Sequence, residues 1–122
     1  MSVGLIDMER LVNPELELMD SLSHLISQEF KNHRTVGYYG DLLNVSVTCL
    51  NNLTHVYYGR SVHEMLDQKL LECAKYYLSR SSLSVKWMTY ELGFQDPGYF
   101  SRWFKKLTGE SPKDYRKKGS RF

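Results

Sequence analysis

The feature that most constrains this chain is an internal repeat, in which the segment that begins at residue 46 recurs 50 residues later. Ser46 and Asp96, both favourable residues at the start of a helix, coincide in the two copies. Gly59 and Gly109, which suit the left-handed conformation at the end of a helix, coincide as well. Each copy therefore predicts a short helix, a turn of about three or four residues and a longer helix, which is the helix-turn-helix unit.

The rest of the sequence is also typical of helices. Apolar residues recur every three or four positions from Pro14, with Asn13 as the N-cap, and again from Ser61 to about Leu78. No segment alternates apolar and polar residues as a half-buried strand would. The sequence predicts an all-α fold of about seven helices, in which a long connector helix joins two helix-turn-helix lobes.

The net charge of +2 is unevenly distributed along the chain. Residues 1–60 carry four lysines and arginines against seven acids, a net charge of −3, whereas residues 61–122 carry twelve against seven, a net charge of +5. The C-terminal half thus has the positive field that attracts a polyanion. A solvated basic surface with no partner is the alternative interpretation of the same charges.

Several other classes of protein are disfavoured by the sequence. It has no apolar run near the roughly 20 residues that a membrane-spanning helix needs, and its N-terminus lacks the pattern of a signal peptide. Its two cysteines and four histidines do not have the spacing of a zinc site. It has neither a Ser–His–Asp order nor a glycine-rich phosphate loop, so we expect no enzyme activity, no metal and no cofactor.

The longer helix of the second copy has two distinguishable faces. Its apolar stripe, which we expect to face the core, consists of Phe100, Trp103, Phe104 and Leu107. The residues left to face outward are Gly98, Tyr99, Ser101, Arg102, Lys105 and Lys106. Arg102 is suited to donate two hydrogen bonds to guanine, and the two lysines are suited to phosphate contacts. A scaffold helix with a solvated basic face is the alternative.

The longer helix of the first copy has polar but uncharged residues on the corresponding face, namely Thr48, Asn51, Asn52 and His55. Asparagine pairs with adenine through two hydrogen bonds, so this helix retains a capacity to read bases. Val56 stands where the second copy has Lys106, and Asn52 stands where it has Arg102. We therefore expect the first lobe to grip DNA less strongly and to modulate specificity more than affinity.

The segment from Glu91 to Arg116 closely resembles the signature of the AraC/XylS family of transcription regulators. The resemblance rests on the Gly-Phe turn at 93–94, the Tyr-Phe-Ser-Arg-x-Phe-Lys-Lys sequence at 99–106 and the Gly-x-Ser-Pro-x-x-Tyr-Arg sequence at 109–116. The second copy matches over a long and specific stretch, and the first copy is a more divergent match.

This resemblance implies where the chain meets DNA. Both longer helices would enter successive major-groove segments on one face of double-stranded DNA, with bending of the DNA if both engage at once. The implied base-reading positions are Thr48, Asn51, Asn52 and His55 in the first helix and Pro97, Gly98, Tyr99, Ser101 and Arg102 in the second. We expect Lys105 and Lys106 to contribute phosphate contacts.

The resemblance also implies how the chain is organised. Residues 13–122 would form an AraC-type DNA-binding domain, with a first lobe at 13–60, a connector helix at 61–79 and a second lobe at 80–122. Residues 1–12 would be an N-terminal tail or interdomain linker. We expect the chain to be the output domain of a longer regulator with a separate sensor domain, because most members of the family are longer.

The expected partners follow from this resemblance. Double-stranded DNA is the principal partner and RNA polymerase a further candidate, in a bacterial-type cytoplasm and without a membrane. We expect the isolated domain to be a monomer and the longer parent to be capable of dimerising. A helical protein-interaction module that does not bind DNA is the rival hypothesis, and strongly salt-dependent DNA binding would separate the two.

Overall fold

The computed structural model describes residues 13–119, and all of the regular secondary structure in that range is helical. The seven helices found there are α1 (Pro14–Glu29), α2 (Val36–Leu43), α3 (Val47–Tyr58), α4 (Val62–Arg80), α5 (Val85–Glu91), α6 (Pro97–Thr108) and α7 (Pro112–Gly119). The predicted all-α fold is confirmed. None of these helices is both long and apolar enough to cross a membrane. The tail or linker predicted at 1–12 lies outside the described residues.

The chain divides into two compact units, with the boundary between Leu66 and Asp67 inside α4. The first unit contains α1, α2, α3 and the first residues of α4. The second unit contains the rest of α4 together with α5, α6 and α7. Each unit therefore includes one short helix followed by one longer helix, which is the arrangement that the repeat predicts.

The core of the first unit takes side chains from all four of its helical segments. Its fully buried members are Met19, Leu22, Ile26, Tyr39, Leu50, Val62 and Leu66. Tyr39 brings a polar atom into this core, and its hydroxyl donates a 2.7 Å hydrogen bond to the backbone oxygen of His33. Burial, with smaller contributions from Glu29 and Tyr38, raises the pKa of Tyr39 to about 12.

The second unit has an aromatic core. Phe94, Phe100 and Phe104 are at most 5% exposed. Ring centroids lie 5.2 Å apart for Phe94 and Phe100 and 6.1 Å apart for Phe100 and Phe104. The guanidinium of Arg116 donates hydrogen bonds of 3.1 and 3.3 Å to two backbone oxygens near the C-terminal end of α4. This arginine stabilises a helix C-terminus, where unpaired carbonyls favour a cation.

Local side-chain hydrogen bonds define where most of the helices begin. The residues whose side chains cap a helix N-terminus are Asn13, Ser46, Ser61, Ser84, Asp96 and Ser111. Thr35 stands at the N-cap position of α2 without a side-chain hydrogen bond. Gly59 and Gly109 end α3 and α6 with φ values of 70° and 84°, a conformation that residues with a side chain rarely adopt.

The two helix-turn-helix turns begin alike and differ in length. Each starts with a left-handed residue, Asn44 after α2 (φ 58°) and Gly93 after α5 (φ 83°). In both, the next amide donates a 2.9 Å hydrogen bond to the oxygen five positions earlier, which is the Schellman C-cap. These left-handed residues are 49 positions apart, whereas Ser46 and Asp96 are 50 apart. Counted from the left-handed residue to the N-cap, the second turn thus has one additional residue. By the helix bounds, five residues separate α5 from α6 and three separate α2 from α3, so the second turn is longer than the three or four residues predicted.

Candidate nucleic-acid interface

One face of helix α6 is anchored in the aromatic core of the second unit. Phe100 and Phe104, one turn apart, are both 0% exposed. Trp103 is half-buried, with its ring centroid 5.0 Å from that of Phe94, and its indole N–H donates a 3.2 Å hydrogen bond to Asp67. These contacts determine which side of α6 faces solvent.

The prediction that Leu107 belongs to the buried stripe of α6 is wrong, since 43% of this residue is exposed. Leu107 lies in the last turn of the helix at the margin of the stripe, whereas Phe100 and Phe104 lie along its centre. Periodicity identifies the centre of an apolar stripe better than its margin, because the margin is buried only where a neighbouring element covers it.

The opposite face of α6 is exposed and basic. Its exposed residues are Gly98, Tyr99, Arg102, Lys105 and Lys106, while the candidates Pro97 and Ser101 are half-buried. Tyr99 is 54% exposed, and its ring centroid lies 5.9 Å from that of Phe94. The helix carries three cations and no carboxylate, so the face combines a narrow N-terminal end with a positive field.

Three residues come together at the N-terminal end of α6. Oδ1 of Asp96 accepts a 2.8 Å hydrogen bond from the backbone N–H of Tyr99. A Cβ placed on Gly98 would lie 3.1 Å from this same oxygen and 3.4 Å from Nη1 of Arg102. The guanidinium therefore lies over the first turn of its own helix, in keeping with the N-terminal tilt of helical side chains. In helix-turn-helix proteins, the N-terminal end of the recognition helix is the end that contacts base edges.

Helix α3 exposes the equivalent face, on which the predicted residues are Thr48, Asn52 and His55. Two further exposed residues share that face, Cys49 and Val56, and Val56 is 77% exposed. Neither residue has a charged or amide group, so residue chemistry alone does not identify them as candidate DNA contacts. The repeat does mark their positions, because it aligns them with Tyr99 and Lys106.

Asn51 is placed differently from the other candidates in α3. It is half-buried, and its side-chain oxygen accepts a 3.0 Å hydrogen bond from the backbone N–H of Val62, the first residue of α4. That oxygen satisfies a helix N-terminus within the first unit, which leaves the side-chain nitrogen for an outside partner. At the aligned position α6 has Ser101, which is also half-buried.

The two exposed faces differ in charge. Helix α3 contains no lysine, arginine, aspartate or glutamate, whereas α6 contains Arg102, Lys105 and Lys106. Part of the positive charge elsewhere in the second unit is engaged within the protein, since Arg116 bonds to backbone oxygens of α4 and Lys118 pairs with Glu110. Helix α6 therefore presents three exposed cations to solvent, whereas α3 presents none.

The sequence of this fold matches known proteins. Residues 39–118 match the family described as a helix-turn-helix domain, a range that includes both turns and both longer helices. The arabinose operon regulatory protein of Salmonella typhimurium is 32% identical over 104 residues, which cover 80% of this chain and 37% of that protein. The chain belongs to the AraC-type helix-turn-helix family. This AraC-type chain spans between 6% and 37% of the length of the curated relatives that it matches.

Solved structures share the fold of this AraC-type chain. The C-terminal domain of the two-component response regulator yesN from Fusobacterium nucleatum is 26% identical, with a TM-score of 0.76 over 80% of this chain and 96% of that one. The DNA-binding domain of AdpA, solved in complex with a target DNA, is 19% identical, with a TM-score of 0.69 over 85% of this chain and 90% of that one. The second likeness shows the fold alone.

Proposed function

We propose that this AraC-type chain binds specific double-stranded DNA, with α3 and α6 entering successive major-groove segments. It regulates transcription as the output domain of a longer protein. The observation that carries the proposal is the division of α6 into a face buried through Phe100 and Phe104 and an exposed face with three cations. A major groove about 12 Å wide admits such a helix, with its N-terminal residues against base edges.

Different residues serve different kinds of contact in this proposal. On α6 the base-edge contacts come from Tyr99, Ser101 and Arg102, while Pro97 and Gly98 keep the N-terminal end narrow. Lys105 and Lys106 contact phosphates, which position the helix without reading sequence. On α3 the base-edge contacts come from Thr48, Asn52 and His55, with Asn51 contributing only through its side-chain nitrogen.

Two similarities support this function. The AdpA domain, whose fold this chain shares, was solved in complex with a target DNA. Among relatives, the Salmonella arabinose operon regulatory protein and the raffinose operon transcriptional regulatory protein RafR of Pediococcus pentosaceus are regulators by name. The exposed basic face of α6 is the physical feature in this chain that suits the same task.

A salt titration on selected DNA tests the proposal. We would select a preferred duplex from a random pool and measure its affinity by fluorescence anisotropy, against a shuffled duplex, between 50 and 200 mM salt. Each phosphate contact contributes about 0.9 to the slope of log affinity against log salt, so Lys105→Ala and Lys106→Ala should each reduce the slope by about that amount.

A lysine of α4 offers the matched control for this titration. Lys69, with Nζ 4.0 Å from a carboxylate oxygen of Glu72, lies outside the recognition helices, and Lys69→Ala should leave the slope unchanged. A chain that binds no duplex at low salt, or binds the selected and shuffled duplexes equally, contradicts sequence-specific DNA binding.

An exposed aromatic cluster in the second unit favours a protein partner as a second function. Tyr76 is 63% exposed and Trp87 is 42% exposed, and the half-buried ring of Tyr77 lies 6.2 Å from the first and 5.6 Å from the second. Exposed aromatic residues are enriched at protein interfaces, and RNA polymerase is the candidate partner. Purified polymerase should bind the DNA-bound chain, and Trp87→Ala should weaken that binding. Equal affinity of the polymerase for the wild-type and Trp87→Ala chains would contradict this role.

We further infer that the chain acts in the cytoplasm, where the chromosomal DNA of a bacterium lies, and that its role is binding without catalysis or a cofactor. The isolated chain is a monomer, and dimerisation belongs to other parts of the longer parent. Light scattering coupled to size exclusion checks the oligomeric state. A dimer of the isolated chain at micromolar concentration would contradict this assignment.

A further inference from the structure

We propose that Asp67 of α4 is a positioning residue for DNA binding, which acts through Trp103 on the base contact that Tyr99 makes. This inference rests on the proposed function and specifies how α6 is held while it reads a base. It gives a role in base preference to a carboxylate on α4, which does not need to touch DNA itself.

The side chain of Trp103 joins α6 to α4. Its indole N–H donates a 3.2 Å hydrogen bond to Oδ1 of Asp67, and both residues are half-buried. A hydrogen bond to a carboxylate is stronger than one between neutral groups, and partial burial reduces its competition with water. The apolar packing of Phe100 and Phe104 is non-directional, whereas this bond requires a particular distance and angle. The bond therefore restricts how far α6 can rotate about its own axis.

The side of α6 that this bond holds also carries Tyr99. Tyr99 and Trp103 are four residues apart, so they lie one turn apart on the same side of the helix. The centroid of the buried Phe94 ring lies 5.0 Å from that of Trp103 and 5.9 Å from that of Tyr99, both within the range of packed aromatic pairs. Closely packed rings shift together, because the packing leaves little free space around each of them. The location of the exposed Tyr99 ring consequently depends on the location of Trp103.

A small rotation of α6 is large on the scale of a base contact. A helix with its side chains is about 10–12 Å in diameter, so a rotation of about 10° moves an atom on its surface by about 1 Å. A binding residue has to be held within about 0.5 Å of its productive position. Loss of the bond between Trp103 and Asp67 thus impairs base reading even while the aromatic core stays buried.

The first unit contains a comparable bond. The hydroxyl of Tyr57 in α3 donates a 2.9 Å hydrogen bond to Oε1 of Glu15 in α1, and this bond raises the pKa of Tyr57. In each unit, a carboxylate on the helix ahead of the helix-turn-helix accepts a hydrogen bond from an aromatic residue of the longer helix. The Tyr57 bond is exposed and lies at the C-terminal end of α3, whereas the Trp103 bond is half-buried and lies in the middle of α6. The bond in the second unit is therefore the one placed to affect residues that read bases.

The test measures base preference rather than affinity alone. In the selected duplex we would find the base pair whose replacement weakens binding of the wild-type chain and not of Tyr99→Ala. The ratio of affinities for the original and replaced duplexes is then the preference, and one base pair corresponds to roughly 5- to 150-fold. Asp67→Ala removes the acceptor of the bond and Trp103→Phe removes its donor, so each should lower the ratio by about threefold or more.

Three further proteins identify the bond as the cause. Asp67→Asn keeps a side-chain oxygen that can accept the indole N–H, so it should retain most of the preference. Asp67→Ala added to Trp103→Phe should lower the ratio no further, because the bond is already absent. Glu72→Ala removes a carboxylate of α4 that interacts with Gln68 and Lys69 of the same helix, and this charge-matched control should leave the ratio unchanged.

Thermal unfolding by circular dichroism separates positioning from stability. Trp103→Phe retains an aromatic ring beside Phe94, so this variant should fold even if Asp67→Ala does not. A change that only destabilised the second unit would weaken binding to both duplexes by the same factor and leave their ratio at the wild-type value.

The outcomes separate this inference from the function on which it rests. If the wild-type chain binds no duplex, the proposed function fails and the inference fails with it. If the wild-type chain binds selectively but no base pair depends on Tyr99, or a folded Asp67→Ala or Trp103→Phe keeps the wild-type ratio, only the inference is overturned. A lower ratio in these two variants, with Asp67→Asn and Glu72→Ala close to the wild-type ratio, supports it.

Discussion

The helices α3 and α6 share the same scaffold and differ in what they present to solvent. Both begin at a capping side chain, both end at a left-handed glycine, and both are anchored by a fully buried residue at the aligned positions Leu50 and Phe100. Their exposed faces carry no charged residue in α3 and three cations in α6. The fold thus constrains the helix ends and the buried faces, whereas the exposed faces are free to differ because exposed substitutions cost little stability.

The largest expected effects concern the shared scaffold. Phe100→Ala should destabilise the second unit by about 3–5 kcal/mol, and Leu50→Ala should destabilise the first by about 2–5 kcal/mol, because both create cavities in filled cores. Both tryptophans, Trp87 and Trp103, lie in the second unit, so their fluorescence reports its unfolding while circular dichroism reports both units. If Leu50→Ala shifted the fluorescence transition as much as Phe100→Ala does, the two units would not be separable.

Alkaline pH should lower the stability of the first unit and not that of the second, by somewhat less than the cavity mutations do. The pKa of Tyr39 is raised from 10.0 to about 12, so the folded state favours the neutral hydroxyl. Its contribution of about 2 kcal/mol is present below pH 10 and lost as the pH rises towards 12. Upstream of the two turns the copies align 49 residues apart, so the equivalent buried residue of the second unit is Met88, which has no ionisable group. Denaturant titrations at pH 9 and 11.5 should show this loss of stability in the wild-type chain and not in Tyr39→Phe. Equal losses in the two proteins would disprove the contribution of Tyr39.

The difference between the exposed faces should appear in DNA affinity. Arg102→Ala should cost about 1–3 kcal/mol on the preferred duplex, because it removes a two-bond contact to a base. Asn52→Ala, the aligned change in α3, should cost less than about 1 kcal/mol, since no charge is lost. Equal losses measured by anisotropy would show that the two helices contribute equally and that charge does not separate them.

The smallest expected effect comes from transferring charge between the faces. The double change His55→Lys with Val56→Lys copies the α6 residues onto α3, and it should make the salt slope steeper by about 1.8 if both lysines reach phosphates. Ser21→Lys with Gln28→Lys adds the same charge on exposed positions of α1 and is the matched control. An identical slope change in both proteins would mean that the gain reflects net charge and not the face of α3.

Sequence reasoning was most successful where the deciding contacts are local. The caps at Ser46 and Asp96 and the glycines at 59 and 109 were predictable, because each acts through hydrogen bonds or dihedral angles within four residues. The fold and the family followed from their spacing. The roles of individual residues in binding DNA stay predictions.

The turn lengths were less predictable, because they depend on how closely the chain passes the preceding helix. In the shorter first turn a Cβ on Gly40 would lie 2.7 Å from the backbone oxygen of Val45, so a side chain has no room there. The aligned residue of the second unit is Thr89, fully buried behind a turn with one more residue. An alignment with a fixed period of 50 residues does not reveal this difference in turn length.

The two repeated units, the ends of their helices and the uneven distribution of charge between them are all legible in the amino-acid sequence. Those features follow from the order of residues and from bonds between near neighbours. The hydrogen bonds from Val62 to Asn51 and from Arg116 to the end of α4 depend instead on the tertiary structure. Each joins residues 11 or more positions apart, which come together only when the helices pack.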